Sequence, residues 1–314
     1  MTTNNERPLI SVVLPTYNGA RHLTEAIESC LNQTWRNLEL IIVDDCSSDE
    51  TPEIIKRYAA KDERVRPIRH TTNRQLPAAL NSGFAQAQGR YCTWISDDNL
   101  YDRDALEKMA SFLVRNAKVS VVYASYSRID EAGRPSSVGL TLPPQYLGYQ
   151  GNVVTPCFLF RRQVYDSLGG YDKKLFLAED YFFWLSAAAK FNFASLPQDL
   201  YQYREHSGSL SSQKKEKVRR STLAALEKAL EKTDMSHRSL RAGIMIHSAV
   251  LCLHFGEVKR ARREFFCALF TAPFNVLRRT KKGVITEILF GHKVAQRLVS
   301  LRREKSPSRS PVNT

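Results

Sequence analysis

The sequence predicts an α/β protein whose mostly parallel sheet is covered by helices on both faces and followed by a separate helical segment. Three observations lead to this fold class. Short β-prone runs alternate with stretches of helical periodicity from residue 9 to residue 115. Two of these runs end in adjacent carboxylates, as strands do at the ligand-binding edge of an open α/β sheet. Beyond residue 213 the strand signals stop, and the chain becomes helical and strongly basic.

Four runs of apolar and β-branched residues have the length of buried parallel strands. After each run, apolar residues recur three or four positions apart, which is typical of a helix with one buried face. Strands and helices that alternate in this way form βαβ units, whose strands lie parallel. Gly89 is the expected C-cap of the third helix. The predicted strands are 9–14, 38–43, 65–69 and 91–94, and the predicted helices are 22–33, 51–60, 76–88 and 102–115.

The next part of the chain mixes one further strand with loops and an aromatic helix. We expect the strand at 119–124, a tight turn at 130–135 and a helix that begins near Glu179. The stretch 139–152 is rich in Pro, Gly, Gln and Tyr and is predicted to be a long loop. Long loops in compact domains often form lids or binding surfaces.

Carboxylates end two of the predicted strands, as the pairs 44–45 and 97–98. Strand ends of an α/β sheet gather along one edge, so both pairs are expected near one crevice. Hard divalent cations take such oxygen ligands and usually bring phosphates with them. The alternative is local capping of a turn or of the next helix, by Asp98 or Asp102 in the second case. Because no glycine-rich phosphate loop is present, a phosphate ligand would need a metal.

Six scattered cysteines form no C-x-x-C motif, so we expect buried thiols in a reducing compartment and no zinc site. The first residues lack the apolar core of a signal peptide. The longest apolar-rich run, 242–255, is too short to span a bilayer. These features lead us to expect a cytoplasmic protein, with peripheral attachment to the inner face of the membrane left open.

Five short motifs occur in an order that resembles the family 2 inverting glycosyltransferases of the GT-A fold. The resemblance covers about residues 8–210, and each motif alone is weak whereas the ordered series is specific. It implies transfer of a sugar from a nucleoside-diphosphate sugar. The chain lacks the Q-x-x-R-W motif and the membrane spans of processive members, which implies single additions. The motifs are Pro15–Gly19, Val43–Asp49, Leu80–Gly83, Ala87–Tyr91 and Ser96–Asp98.

The resemblance implies roles for the residues of the donor site. Asp45 is similar to the residue that contacts the nucleotide base, and Thr16 and Tyr17 lie in the loop that faces the nucleotide. Asp97 and Asp98 match the end of the family's D-x-D element. Asp98 would bind the metal on the diphosphate, and Asp97 would lie near the sugar or the ribose.

This chain departs from the D-x-D element at its first position. Ser96 stands there in place of an aspartate, and its hydroxyl can hydrogen-bond but brings no charge. The departure concerns the strength of metal binding. It also leaves open the alternative that the chain is a catalytically degenerate protein that only binds a sugar-nucleotide.

Two later motifs complete the expected site. Glu179 and Asp180 resemble the family's E-D motif, which implies that Asp180 is the catalytic base and Glu179 a supporting group. The reverse assignment, and simple stabilisation of a helix N-terminus, stay open. The segment that contains Arg204 and His206 resembles Y-R-x-H, which implies a basic residue at the phosphate and a histidine at the metal. The expected ion is Mg²⁺ or Mn²⁺, and an imidazole ligand favours Mn²⁺.

The expected reaction is transfer from a nucleoside-diphosphate sugar, expected to be a UDP-sugar, to a hydroxyl of a saccharide or lipid-linked saccharide. Inversion at the anomeric carbon, dependence on the metal and a place in cell-surface polysaccharide or glycan biosynthesis follow from the same resemblance. We expect the loop 139–152 to shape the acceptor side. A sugar-nucleotide pyrophosphorylase is the other enzyme class considered, but it would need a lysine in the loop 15–19.

The sequence divides into a catalytic domain at 1–212, a basic helical segment at 213–303 and a disordered tail at 304–314. Residues 201–314 contain 24 Lys and Arg against 9 Asp and Glu, a balance of +15, so the whole of the net charge of +14 comes from this part of the chain. Three interpretations of the basic segment stay open. It can be a solvated face, a patch that attracts anionic membrane lipid, or a nucleic-acid surface, for which no recognition motif is present.

Overall fold

The computed structural model describes residues 7–206, 208 and 214–291. The chain divides into two compact units, of which the first contains the described residues up to 147 and from 152 to 233. The second contains residues 148–151 and the described residues from 234 onward. The predicted domain boundary at residue 212, the end of the helical segment at 292–303 and the disordered tail at 304–314 lie outside the described residues.

The first unit contains a nine-stranded sheet in the part of the chain that the structure describes. The strand order is β3-β2-β1-β4-β8-β6-β9-β5, with β7 paired to β6. Strands β1 to β4 are parallel, as predicted, and β8 is antiparallel to both of its neighbours. The strands are β1 (Ile10–Thr16), β2 (Leu38–Asp44), β3 (Val65–Arg69), β4 (Tyr91–Trp94), β5 (Leu100–Tyr101), β6 (Val121–Ile129), β7 (Pro135–Gly139), β8 (Cys157–Arg161) and β9 (Phe193–Arg204).

The helices of the first unit follow the predicted alternation. The first three connect β1 to β4 and the fourth connects β5 to β6, and apolar positions of these helices, such as Ile27 and Leu106, belong to the hydrophobic core. The mixed α/β fold class is therefore confirmed. The helices are α1 (Leu23–Leu31), α2 (Thr51–Ala59), α3 (Leu76–Gln86), α4 (Ala105–Arg115), α5 (Arg162–Leu168), α6 (Glu179–Ala188) and α7 (Lys215–Lys232).

The register of the parallel strands places the candidate site at one edge of the sheet. Every residue of β1 and β2 is buried, because both faces of this part of the sheet are covered. Thr16 lies opposite Asp44 in the β1–β2 pair, and Val13 lies opposite Trp94 in the β1–β4 pair. The residues that follow β1, β2 and β4 therefore emerge at the same edge.

Gly89 does not cap the third helix, which is a correction to the sequence prediction. Helix α3 ends at Gln86, and the next residue, Ala87, is already extended. The Gly89 N–H donates to Ser11 Oγ at 2.8 Å, and a Cβ at position 89 would lie 2.5 Å from the Ser11 backbone nitrogen. Glycine is needed there because the β1 backbone passes so closely.

The predicted start of the fourth helix and the predicted long loop also change. Helix α4 begins at Ala105 because the short strand β5 intervenes, and no side chain caps it. Neither Asp98 nor Asp102 is therefore its side-chain cap. The loop 139–152 contains a 3₁₀ turn at Pro144–Tyr146, and residues 148–151 belong to the second unit.

The second unit is helical over its described residues. Helix α8 packs along α9, and the buried positions of α9 recur at Ala261, Phe265 and Ala268. Among the described helices, none combines the length and the hydropathy that crossing a membrane requires. The helices are α8 (Arg238–His254), α9 (Val258–Thr271), α10 (Pro273–Arg279) and α11 (Lys282–Phe290).

The packing of α3 onto the sheet yields a test of the fold. A Cβ at Gly83 would overlap Val13 Cγ1 and lie 3.2 Å from Val43 Cγ2. We expect Gly83→Ala to lower the free energy of unfolding by about 1–3 kcal/mol, because the core is overpacked. Guanidinium unfolding followed by circular dichroism measures the change.

Gly283→Ala is the control, because its added Cβ meets no described atom within 4 Å. Alanine favours the helix at that position, so this variant should be as stable as the wild type or slightly more stable. Equal stability of Gly83→Ala and the wild type would contradict the close contact between α3 and β1.

Candidate active site

Two strained loops leave the sheet at the edge that β1, β2 and β4 share. Asn18 and Cys46, which follow β1 and β2, both have positive φ, at 54° and 70°. The loops hold each other, since the Asn18 N–H donates to Ser47 Oγ at 2.9 Å and the Ser48 N–H donates to Asn18 Oδ1 at 2.8 Å. Such backbone conformations in non-glycine residues persist only where the surroundings impose them, and they concentrate at functional sites.

Thr16 and Asp97 meet at this edge. The Thr16 hydroxyl donates to Asp97 Oδ2 at 2.5 Å. A Cβ at Gly19 would overlap the same carboxylate oxygen, so the loop after β1 lies directly against it. Burial and the neighbouring charge of Asp98 raise the pKa of Asp97 to about 7. The carboxylate is therefore held in place by the loop that was predicted to face the nucleotide.

Asp98 lies beside His206. The distance from Asp98 Oδ2 to His206 Nε2 is 2.9 Å. The other oxygen, Oδ1, is buried and has no hydrogen-bond partner among the described residues. The two side chains come from positions 108 residues apart in the chain, at the ends of β4 and β9. The structure thus brings together the two residues predicted to hold a metal.

Arg204 hydrogen-bonds to the backbone of Asp98 and to the side chain of Asn99. Its side chain is only 1% exposed. Its Nε donates to the Asp98 carbonyl oxygen at 2.9 Å, and its backbone N–H donates to Asn99 Oδ1 at 2.8 Å. The guanidinium also pairs with Glu25 at 2.7 Å. These contacts give Arg204 a positioning role for the Asp98 loop, and its predicted contact with the donor phosphate stays a prediction.

The donor set at Asp98 fits a divalent cation. One Asp98 carboxylate oxygen is buried and has no partner within residues 7–206, 208 and 214–291, and the other contacts an imidazole nitrogen. A ligand set of oxygen and nitrogen atoms suits Mn²⁺, and a ligand set of oxygen atoms alone suits Mg²⁺. The described residues gather no three His, Cys, Asp or Glu side chains at one point. The protein would therefore supply two ligands, and phosphate oxygens and water would supply the others.

The first acidic pair separates into two different environments. Asp44 Oδ1 accepts from the Ser47 N–H at 2.8 Å, so the capping interpretation holds for Asp44. Asp45 accepts instead from another loop, with both oxygens bonded to the Arg74 N–H at 2.9 and 3.0 Å. His70 Nδ1 lies 2.6 Å from Asp45 Oδ1, and its Nε2 lies 2.9 Å from Ser82 Oγ. Asp45 therefore joins the end of β2 to the loop before α3.

A cleft lies beside Asp45. It has a volume of about 580 Å³ and is lined by β2, β3 and α3 side chains, including Arg66, His70 and Arg74. The volume is in the range of small-molecule sites. Tyr17, on the loop after β1, is 51% exposed and can offer its ring to a ligand. Sequence analysis missed His70 and Arg74, because no motif marks them and only the fold brings them to Asp45.

Glu179 and Asp180 open α6, as the sequence predicted. Glu179 is 4% exposed, and its Oε2 has no hydrogen-bond partner among the described residues. Asp180 Oδ1 accepts from the Tyr181 N–H at 2.6 Å, and its Oδ2 accepts from Asn152 Nδ2 at 3.3 Å. Burial and the charge of Asp180 raise the pKa of Glu179 to about 8, and burial raises the pKa of Asp180 as well.

Aromatic contacts tie α6 to the end of β4. Trp184 of α6 packs edge-on against Phe158, with ring centroids 4.8 Å apart, and Phe158 packs against Trp94 at 5.9 Å. Leu177, two residues before the helix, has a positive φ of 76°. The rings anchor the helix that carries the two carboxylates beside the strand that carries Asp97 and Asp98.

His22 is a further residue that sequence analysis missed. It is buried, and neither ring nitrogen has a hydrogen-bond partner among the described residues. Its ring centroid lies 5.7 Å from that of His206. Burial and the charge of Arg204 lower the pKa of His22. A single histidine at the start of an amphipathic helix carries no signal of such a contact.

Comparison with known proteins identifies relatives of the chain. A Haemophilus influenzae protein described as an uncharacterized glycosyltransferase is 40% identical over 126 residues, which are 40% of this chain and 50% of that protein. EpsE of Bacillus subtilis, named as a glycosyltransferase, is 34% identical over 212 residues, which are 65% of this chain and 75% of EpsE. The match thus spans about half of the first relative and three quarters of the second.

Two solved structures share the fold. Staphylococcus aureus TarS 1–349 in complex with UDP-GlcNAc has a TM-score of 0.65 and 18% identity, and the match covers 94% of this chain and 92% of TarS 1–349. The mannosyltransferase PcManGT of Pyrobaculum calidifontis, in complex with GDP-Man and Mn²⁺, has a TM-score of 0.62 and 18% identity. That match covers 95% of this chain and 85% of PcManGT. At these identities the likeness establishes the GT-A fold.

The family model of glycosyl transferase family 2 matches residues 11–169, which are just over half of the chain. The matched range contains Thr16, Tyr17, Asp45, Asp97 and Asp98, and α6 and β9 lie beyond it. The family match and the relatives named above do not favour a sugar-nucleotide pyrophosphorylase. The chain belongs to glycosyl transferase family 2.

Proposed function

We propose that this family 2 transferase moves single sugars from a nucleoside-diphosphate sugar to an acceptor hydroxyl, with inversion and with the help of a divalent metal. One observation carries the proposal: Asp98 contacts His206 at 2.9 Å, while its second oxygen is buried and finds no hydrogen-bond partner in the described part of the chain. Such an oxygen is costly to bury and is satisfied when a ligand binds. A cation with a diphosphate is the ligand that this donor set suits.

A UDP-sugar is the proposed donor. The TarS complex contains UDP-GlcNAc and the PcManGT complex contains GDP-Man, so nucleotide-sugars bind to this fold with either base. In this chain we place the base at Asp45, with the exposed ring of Tyr17 and the cleft that His70 and Arg74 line as the other parts of its site. Thr16 holds Asp97 in the place proposed for the ribose or sugar.

The proposed metal is Mn²⁺ or Mg²⁺, held by Asp98 and His206. When bound, a divalent ion of this kind stabilises the charge that develops on a leaving diphosphate. Arg204 keeps the Asp98 loop in position through the Asp98 carbonyl oxygen. Ser96, which replaces the first acidic residue of the motif, adds no charge to the site.

Asp180 is proposed as the base because the two carboxylates of α6 differ in environment. Glu179 is the less exposed of the two, and its pKa is raised to about 8, which favours its protonated form at neutral pH. Burial raises the pKa of Asp180 too, and the hydrogen bond from the Tyr181 N–H at the start of the helix opposes that rise. It would take the proton of the acceptor hydroxyl as that oxygen attacks C1. The diphosphate leaves from the opposite face, so one displacement inverts the anomeric carbon.

The proposed acceptor is a saccharide or a lipid-linked saccharide in cell-surface polysaccharide or glycan biosynthesis. The basic C-terminal helices favour an enzyme that works at the inner face of a membrane, where anionic lipid attracts Lys and Arg. We retain residues 1–212 as the proposed catalytic domain. A degenerate sugar-nucleotide-binding protein is the second candidate, and Ser96 is the observation that favours it.

The first prediction tests the base. Asp180→Asn should reduce transfer from a UDP-sugar by about 10²–10⁴-fold, since general-base catalysis contributes that much, with nucleotide binding retained. Glu179→Gln is the matched control and should lose less than about tenfold. Proton NMR of the product should show the inverted anomer. Loss of turnover in Glu179→Gln but not in Asp180→Asn would reverse the assignment, and a folded wild type without turnover would favour the degenerate binder.

The second prediction concerns the metal. His206→Ala should raise the Mn²⁺ concentration needed to bind UDP by about tenfold or more, because one of two protein ligands is lost. Electron paramagnetic resonance of free Mn²⁺ measures this without any turnover. His254→Ala, which removes an exposed histidine of α8, is the control. An unchanged Mn²⁺ requirement in His206→Ala would remove His206 from the metal site.

The third prediction concerns pH. Because the pKa of Glu179 is raised to about 8, the folded protein holds a proton there that the unfolded chain releases above about pH 4.3. The group therefore lowers the free energy of unfolding as pH rises from about 4.3 to about 8. Glu179→Gln does not lose stability in this way. Its free energy of unfolding should therefore exceed that of the wild type by a margin that grows with pH, to about 2–4 kcal/mol at pH 8.

Urea unfolding between pH 5 and pH 9 measures that difference. Glu53→Gln, which changes an exposed glutamate of α2, should follow the wild type at every pH. A Glu179→Gln curve parallel to that of the wild type would show that Glu179 is ionised when folded, and the choice of Asp180 as base would lose its support.

A further inference from the structure

Helices α9 and α10 expose large apolar side chains that the second unit does not use. Phe266 is 45% exposed, Phe270 83%, Phe274 72% and Leu277 62%. The four lie within twelve consecutive residues. Single exposed apolar residues are ordinary on a protein surface, but a cluster of this kind marks a site of interaction.

The spacing places these side chains along one side of each helix. Phe266 and Phe270 are four residues apart on α9, and Phe274 and Leu277 are three apart on α10, so each pair shares a helix face. The opposite positions form the core, with Phe265 and Val276 buried. The fold of the unit therefore leaves a complete apolar stripe outside.

Basic residues lie close to the four apolar residues in the sequence. Residues 258–282 contain eight Lys and Arg and one acidic residue, Glu264, which lies 3.7 Å from Arg263. In the part of the chain that the structure describes, Arg278, Lys281 and Lys282 form no ion pair. The two helices thus combine exposed apolar side chains with exposed positive charges. We call these helix faces, with Phe266, Phe270, Phe274, Leu277 and their basic neighbours, the aromatic-basic stripe.

We propose that the aromatic-basic stripe docks the protein on an anionic lipid surface, with the phenylalanines entering the boundary between headgroups and acyl chains. Helices that lie in a membrane interface combine an apolar face with Lys and Arg that meet anionic headgroups. Phosphates of nucleic acid would attract the same cations, so binding to single-stranded RNA is the alternative outcome that the experiment measures. The inference rests on the proposed function, which places a lipid-linked acceptor at the membrane.

Vesicle flotation of the full chain tests the proposal. The wild type should float with phosphatidylcholine vesicles that contain phosphatidylglycerol and stay behind with phosphatidylcholine alone. Phe270→Ser with Phe274→Ser should lower partitioning by about tenfold or more, because the two rings that would enter the membrane are lost. Lys281→Glu with Lys282→Glu should lower it by about tenfold or more as well.

The matched control changes two exposed apolar residues of the first unit, Val138→Ser with Leu140→Ser, which are 57% and 76% exposed in the wild type. It should float like the wild type. Cys267 is exposed on α9, so a polarity-sensitive dye attached there in a Cys46→Ser background should shift to the blue on anionic vesicles. No blue shift would exclude insertion of this face.

Three further outcomes would overturn the proposal. They are a wild type that ignores anionic vesicles, a phenylalanine double variant that floats unchanged, and binding of this face to single-stranded RNA or to a second copy with no binding to vesicles. Transfer to a soluble acceptor is measured on the same variants. A wild type that transfers the sugar but does not float contradicts the stripe alone, and a wild type that floats but does not transfer the sugar contradicts the proposed function alone.

Discussion

The parallel pairing of β2, β1 and β4 is the constraint on which the candidate site depends. Because Thr16 lies opposite Asp44 and Val13 opposite Trp94, three chain segments distant in sequence leave the sheet at one edge. A shift of one residue in this register would turn every buried side chain of β1 to the other face. Thr16 would then point away from Asp97. The positions of the acidic residues are thus a consequence of the core, and the close approach of Gly83 and Gly89 to β1 maintains it.

The remainder of the site is assembled from the second half of the sheet. Strand β9 ends at Arg204, whose guanidinium hydrogen-bonds to the Asp98 carbonyl oxygen inside the protein. His206 follows two residues later and contacts the Asp98 carboxylate. A buried cation of this kind is stable only with fixed partners, and here they are Glu25 and backbone oxygens. Aromatic packing fixes the position of α6, since Trp184 and Phe158 hold its start near the end of β4. Rigid supports on strands and helices are what a site of exact geometry requires.

The parallel half of the fold could be predicted from the sequence because its signals are local. Buried strands such as 38–44 are mainly apolar runs, and the helices between them carry one apolar face. The adjacency of Asp98 and His206 came from resemblance, since no local pattern links residues 108 positions apart. His22, His70 and Arg74 were missed for the same reason. Gly89 was misread because a close backbone contact and a helix cap both call for glycine.

The central claim is that the Asp98 edge of the sheet binds a nucleoside diphosphate together with a metal. Calorimetric titration of the wild type and of Asp98→Ala with UDP, GDP, TDP and CDP, each with and without Mn²⁺, tests it most directly. The account predicts that UDP binds the wild type only with Mn²⁺ and that Asp98→Ala loses this binding. A folded wild type that binds none of the four nucleotides, or binds UDP equally without Mn²⁺ and in Asp98→Ala, would contradict it.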